Sequence, residues 1–169
     1  MAYSNEEIDA ALAKMYSTGR VQSFIRNAEK RGDAYAVEAG HNRKREILRY
    51  EEAGESEFYN ELMRYIEAYE KVLSSDAGRR RFATYTRRKL KNHGALKTVL
   101  DLVRKPPKTY GITLLRERKR LDCAYENLII DYANAYQDDI KKADITEARR
   151  RLNPVQHLLP PFPILRDRT

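Results

Sequence analysis

A single cysteine, Cys123, stands in the 169 residues. That excludes an intrachain disulfide framework and suits a reducing compartment. The three histidines, His41, His93 and His157, are isolated, and Cys123 has no partner at ligand spacing, so neither metal nor cofactor is expected. Seven glycines and six prolines are too few for a low-complexity chain. No apolar run approaches the roughly 20 residues that span a bilayer. The opening MAYSNEEIDAAL carries acids where a secretory signal has bases and an apolar stretch. The reading is a cytoplasmic protein with no membrane partner. Gly-rich phosphate loops, G-x-S-x-G and H-E-x-x-H are all missing, which removes the commonest signatures of an enzyme.

Strands are missing too: no stretch of four to eight residues alternates as a half-buried strand must, and no repeat of fixed period recurs. What remains is helical. Ser4 and Glu7 have capping-box spacing for a first helix to about Ser17. Val21, Phe24, Ile25 and Ala28 share one face of a second, and Gly32 and Asp33 are a C-terminal and an N-terminal cap. A third covers about 34–53, with Gly40 as a point of interruption. Phe58, Leu62, Tyr65, Ile66, Tyr69, Val72 and Leu73 form an unbroken stripe at steps of three and four. After an Asp76-Ala77-Gly78 turn, helices are predicted over 79–93, over a segment carrying Leu96, Val99, Leu100 and Val103, from Thr109 through Leu115, and from Asp122 past Leu128, Ile129 and Tyr132. Asp144 and Glu147 start a short last one. The fold class is all-α: a single compact bundle of eight or nine helices over 1–152, with a Pro-rich extended tail over 153–169. Proline fixes φ and removes a donor, so the tail is not helical.

Charge is distributed unevenly. Arg79 to Arg120 hold fifteen Lys or Arg against two acids, Asp101 and Glu117, a net +13 in 42 residues. The whole chain is +8, so the rest sums to −5. A concentrated field of one sign calls for a partner of the other sign. Within this basic segment, 78–121, the residues suited to phosphate are Arg79, Arg80, Arg81, Arg87, Arg88, Lys91, Arg104, Lys105, Lys108, Arg116, Arg118, Lys119 and Arg120. On a helix over 79–93, Arg80, Thr84, Arg87, Arg88 and Lys91 fall on one face, and Phe82, Thr86, Leu90 and His93 on the other. Arg104, Lys105 and Lys108 flank Pro106-Pro107 in a hairpin loosely like a helix-turn-helix. Tyr85 and Tyr110 are candidates to stack on unpaired bases.

The competing reading is internal neutralisation. Residues 1–78 carry 11 bases and 15 acids, and a cationic helix end needs no ligand. A catalytic candidate exists in Arg88 and His93. Their Arg-x4-His spacing resembles that of the HEPN ribonucleases, in which a paired Arg and His act on an RNA 2′-hydroxyl. His93 also serves simply as the end of a helix before Gly94. Glu51, Glu52, Glu55 and Glu57 read as a solvated helix end, and Cys123 as a core thiol.

Gly78-Arg79-Arg80, the Thr84–Lys91 stretch, Gly94, Pro106-Pro107-Lys108-Thr109-Tyr110-Gly111 and Ala124-Tyr125-Glu126 together resemble a pattern in a group of bacterial proteins with no activity assigned. The resemblance covers about residues 78–130 and implies one inherited unit. Three functions follow. The first is a non-enzymatic, DNA- or RNA-binding accessory or regulatory protein of the kind found in phage or mobile elements. The second is an interaction or assembly module that uses the acidic N-terminal half and the tail residues Leu158, Leu159, Phe162, Ile164 and Leu165. The third is a HEPN-like ribonuclease.

Overall fold

A computed structural model of the chain describes residues 3–105 and 110–153. Among them are nine α-helices and no strand: α1 (Asn5–Ala13), α2 (Thr18–Arg31), α3 (Ala34–Glu52), α4 (Glu57–Ala77), α5 (Thr84–His93), α6 (Ala95–Arg104), α7 (Tyr110–Glu117), α8 (Glu126–Asp131) and α9 (Lys142–Leu152). A 3-10 turn, Leu121–Cys123, precedes α8. The all-α architecture read from the sequence is present. The Pro106-Pro107 turn, Lys108, Thr109 and the tail from Pro154, with Leu158, Leu159, Phe162, Ile164 and Leu165, lie outside the described residues, as does the Tyr110 side chain.

Local signals fix most helix starts. Ser4 Oγ accepts from Glu7 N at 3.2 Å and Glu7 Oε2 accepts from Ser4 N at 2.8 Å, a reciprocal cap for α1. Asp33 Oδ1 accepts from Ala36 N at 3.0 Å, and Ser56 Oγ from Tyr59 N at 3.2 Å. Gly32 and Gly78 end α2 and α4 in the left-handed conformation, with φ of 69° and 64°.

Helices α1 to α3 surround one apolar cluster, with Ile8, Leu12, Val21, Ile25, Ala28, Ala36 and Ile47 buried. The larger core gathers α4, α5, α6, α8 and α9 around Leu62, Ile66, Leu90, Val99, Leu128 and Ile129. A third cluster joins α4 to α7 through Val72, Ile112, Leu114 and Leu115. The α4 stripe thus serves two cores. Glu51, in the last turn of α3, joins the first unit to the body: both its oxygens accept from Ala95 N, at 3.1 and 3.3 Å, at the start of α6. Burial drives its pKa up to about 7, against the Ala95 hydrogen bond and with help from Glu52.

Four sequence expectations change. Gly40 does not interrupt α3. It is buried, and a Cβ there would sit 2.6 Å from Ile25 Cγ1, so the glycine lets α2 and α3 approach. Helix α1 stops at Ala13, short of Ser17. The eighth helix begins at Glu126 after the 3-10 turn, not at Asp122. Most importantly, α5 begins at Thr84, and residues 79–83 run as a non-helical strap. The donors a helix would use there are taken by α4: Arg81 N donates to Ser74 Oγ at 2.9 Å, and Ala83 N to Glu70 Oε1 at 2.8 Å. Three arginines at a helix N-terminus would also oppose its dipole.

Candidate nucleic-acid interface

The strap is clasped to α4 at two points. Ser74 Oγ accepts from Arg81 N and donates to Arg81 O at 3.2 Å. Glu70 accepts from Ala83 N, and also from Arg87 Nε at 2.6 Å and Nη2 at 2.7 Å. Those bonds, the Arg87 pair foremost, hold the Glu70 pKa below its ordinary value despite burial. The clasp uses backbone, so Arg79, Arg80 and Arg81 are left exposed.

The strap presents rings as well as charge. Phe82 and Tyr85 are 53% and 54% exposed. The Arg80 guanidinium lies 4.8 Å from the Phe82 ring centre, and Lys105 Nζ lies 4.5 Å from that of Tyr85 while donating to its hydroxyl. That bond, with Lys89 nearby, lowers the Tyr85 pKa. Arg88 follows Tyr85 by three positions on the same side of α5, whereas Lys91, six positions on, is turned about 120° away and lines a hollow with Glu51 and Glu52. Both are exposed and make no ion pair among the described residues. Lys119, at φ 57°, is exposed in the same sense at the end of α7.

The other half of the basic segment is largely neutralised from within. Arg104 grips Asp144 through Nε at 2.8 Å and Nη2 at 2.7 Å and also donates to Asp139 O at 3.0 Å. Arg87 belongs to Glu70. Lys89 and Lys97 share Asp101, at 2.9 and 3.1 Å. Half-buried Arg116 donates to Arg151 O at 3.1 Å, and its Nε has no partner; burial lowers its pKa. Arg118 pairs with Asp76, and Arg120 with Asp122 at 3.1 Å. Lys108 lies outside the described residues. Of the cations singled out in the sequence, Arg79, Arg80, Arg81 and Arg88 are therefore left exposed without an ion pair on the strap and on the Tyr85 side of α5, and Lys91 on another side of that helix. Lys105 joins them through Tyr85, and Arg118 reaches α4 just before the strap begins.

No family model, curated protein or solved structure matches the chain. The site is therefore judged by its own chemistry.

Behind Phe82 and Tyr85 opens a cavity of about 430 Å³. Tyr69 and Tyr125 add aromatic surface; Leu73, Ile112 and Leu115 add aliphatic surface; Glu126 and Lys105 bring charge. The Tyr125 hydroxyl is buried without a hydrogen-bond partner. Burial pushes its pKa well up; the Thr86 hydroxyl opposes this slightly without reaching bonding geometry. Glu126, 7% exposed, has its pKa raised by burial and touches Arg151 Nη1 at a long 3.5 Å. Sequence reasoning missed this cavity. It assigned Phe82 to a buried helix face because it continued α5 back to Arg79.

Arg88 and His93 sit five positions apart, a rotation of about 140° on an α-helix, so they leave α5 on different sides. His93 is half-buried, its pKa lowered by burial and by Lys44, Lys97 and Lys89, and its carbonyl accepts from Thr18. Cys123 is buried and its thiol pKa is raised by burial. Among the described residues no group of three or more His, Cys, Asp or Glu is placed to hold a metal, and no helix is long and apolar enough to cross a membrane.

Proposed function

We propose that this protein binds single-stranded or unpaired nucleic acid, with Arg79, Arg80, Arg81, Arg88, Lys91 and Lys105 meeting phosphates and Phe82 and Tyr85 stacking on bases. The observation that carries this reading is the pairing of two exposed rings with cations on a strap whose other cations have no acid to answer them. Exposed aromatic rings beside unpaired guanidiniums make a surface that is both apolar and cationic. Together they match a ligand that alternates planar bases with anionic phosphates. A duplex offers phosphates but keeps its bases stacked, so it leaves the rings unused. The binding is non-enzymatic. The regulatory or accessory role follows from binding without chemistry.

The test is equilibrium binding of a fluorescent single-stranded oligonucleotide across a salt series. Affinity should fall steeply with salt, with a log–log slope of about −0.7 for each phosphate neutralised. The double variant R80A/R81A should flatten the slope by roughly 1.4. Affinity that holds steady from about 50 mM to 0.5 M salt, or tighter binding to a blunt duplex of equal length, sinks the reading.

A further inference from the structure

We infer that the cavity behind Phe82 and Tyr85 is a nucleobase pocket, taking one everted base with its phosphate held at the mouth. The inference rests on the strand-binding reading above and adds to it a place where a base leaves the surface. Four observations on the same site argue for it. The size, about 430 Å³, lies within the rough 300–1,000 Å³ of small-molecule sites. The walls are planar and apolar: Tyr69 and Tyr125 inside, Phe82 and Tyr85 at the lip. A polar group in the wall is under-used, since the Glu126 carboxylate has only a long side-chain contact from Arg151, whereas the Tyr125 hydroxyl is enclosed behind the cavity face. Such a carboxylate is an available acceptor, and the amino edge of a base supplies its complement.

The charge at the mouth decides the class of ligand. Arg80 and Lys105 each lie against a ring that lines the cavity, so an entering group meets positive charge beside those rings. A purely apolar ligand gains nothing from them. A nucleotide places its phosphate there as its base enters. The same chemistry is offered by a free nucleotide and by an unpaired nucleotide within a strand, and the experiment separates the two.

The full-length protein is titrated with a single-stranded oligonucleotide, with an abasic strand of the same length and charge, and with nucleoside monophosphates. Two variants probe the cavity. Tyr125→Phe removes an oxygen that has no partner, so it should fold as the wild type does. Thr84→Trp, at an exposed position that lines the cavity, fills it from the rim. Wild type should prefer the base-bearing strand over the abasic one by about tenfold or more. That ratio should fall roughly threefold to tenfold in Thr84→Trp and hold in Tyr125→Phe, whose lost hydroxyl lies behind the wall, while affinity for the abasic strand stays put.

If the ratio exceeds one but Thr84→Trp does not move it, the bases stack only on the outer rings. The pocket is then refuted while strand binding stands. A ratio of one in the wild type refutes the pocket in the same way. Binding of a monophosphate alone, lost in Thr84→Trp and kept in Tyr125→Phe, upholds the pocket and overturns the strand reading. Binding to none of the three ligands overturns both.

Discussion

The two halves of the basic segment have similar composition and different fates. From Arg79 to Lys91 the chain runs along α4 and α5, where Glu70 is already occupied by Arg87 and Ala83 N and Asp101 by Lys89, which leaves Arg79, Arg80, Arg81, Arg88 and Lys91 without an ion pair among the described residues. From Arg104 to Arg120 the chain passes acids brought from elsewhere: Asp144 from α9, Asp76 from α4, and the neighbouring Asp122. Surface charge is thus set by which carboxylates the fold delivers, not by how many cations the sequence holds. The first half keeps an outward field; the second uses much of its charge as mortar.

The strongest challenge to this contrast is Glu70→Ala. It leaves Arg87 and Ala83 N without their partner, and should cost about 3–4 kcal/mol in urea unfolding. It should also weaken strand binding, because the clasp on the strap is gone. Loss of stability with unchanged binding would show that the strap does not depend on α4.

Glu51 sharpens the contrast from the other side, as a buried carboxylate with one backbone donor, Ala95 N, and no ion pair among the described residues. Its folded pKa of about 7 lies above its unfolded value, so the folded state holds this proton more tightly. The resulting stability is fully present below about pH 4.5 and is lost as pH rises through 7, a difference of about 3 kcal/mol. Glu51→Gln keeps an acceptor for Ala95 N and should flatten that pH dependence in thermal melts. Glu70 and Asp144 behave oppositely. The Arg87 bonds lower the first; at the second, burial pushes upward but the Arg104 bonds prevail. Their contributions are present above the unfolded carboxylate pKa and are lost as pH falls through the depressed folded values.

Arg104→Ala comes next. Removing the bidentate partner of nearly buried Asp144 should cost about 2 kcal/mol, yet leave oligonucleotide affinity per folded molecule within about twofold. R80A/R81A should show the inverse: an unaltered unfolding midpoint with affinity down about tenfold at low salt. The smallest effect belongs to Arg120→Ala, whose exposed pair with Asp122 should change neither the unfolding curve nor the binding isotherm measurably.

What the sequence made legible was local. Ser4 with Glu7, Asp33, Gly32 and the α4 stripe each act within a turn or two, and each is found where the pattern puts it. Gly40 was misread because an Ile25 side chain from another helix decides its role. The strap was misread for the same kind of reason. Ser74 and Glu70 capture its backbone donors across a helix boundary, which no periodicity within 79–93 reveals. The neutralisation of Arg104 depends on Asp144, 40 residues away, and the cavity on Tyr125 and Glu126, which carry no charge run or motif of their own.

Arg151 gives the molecule an order of assembly. Almost wholly enclosed, it donates to the carbonyls of Leu102 and Lys105 and touches Glu126, so α9 holds both the end of α6 and the floor of the cavity. Lys105 is made 46 residues before Arg151. The contacts that tie the end of α6 and Glu126 to α9 can therefore form only after α9 has been made. A chain cut before Lys142 should emerge with its ligand chamber unformed and with Arg104 still unanswered, which circular dichroism and proteolysis of the truncated product would reveal.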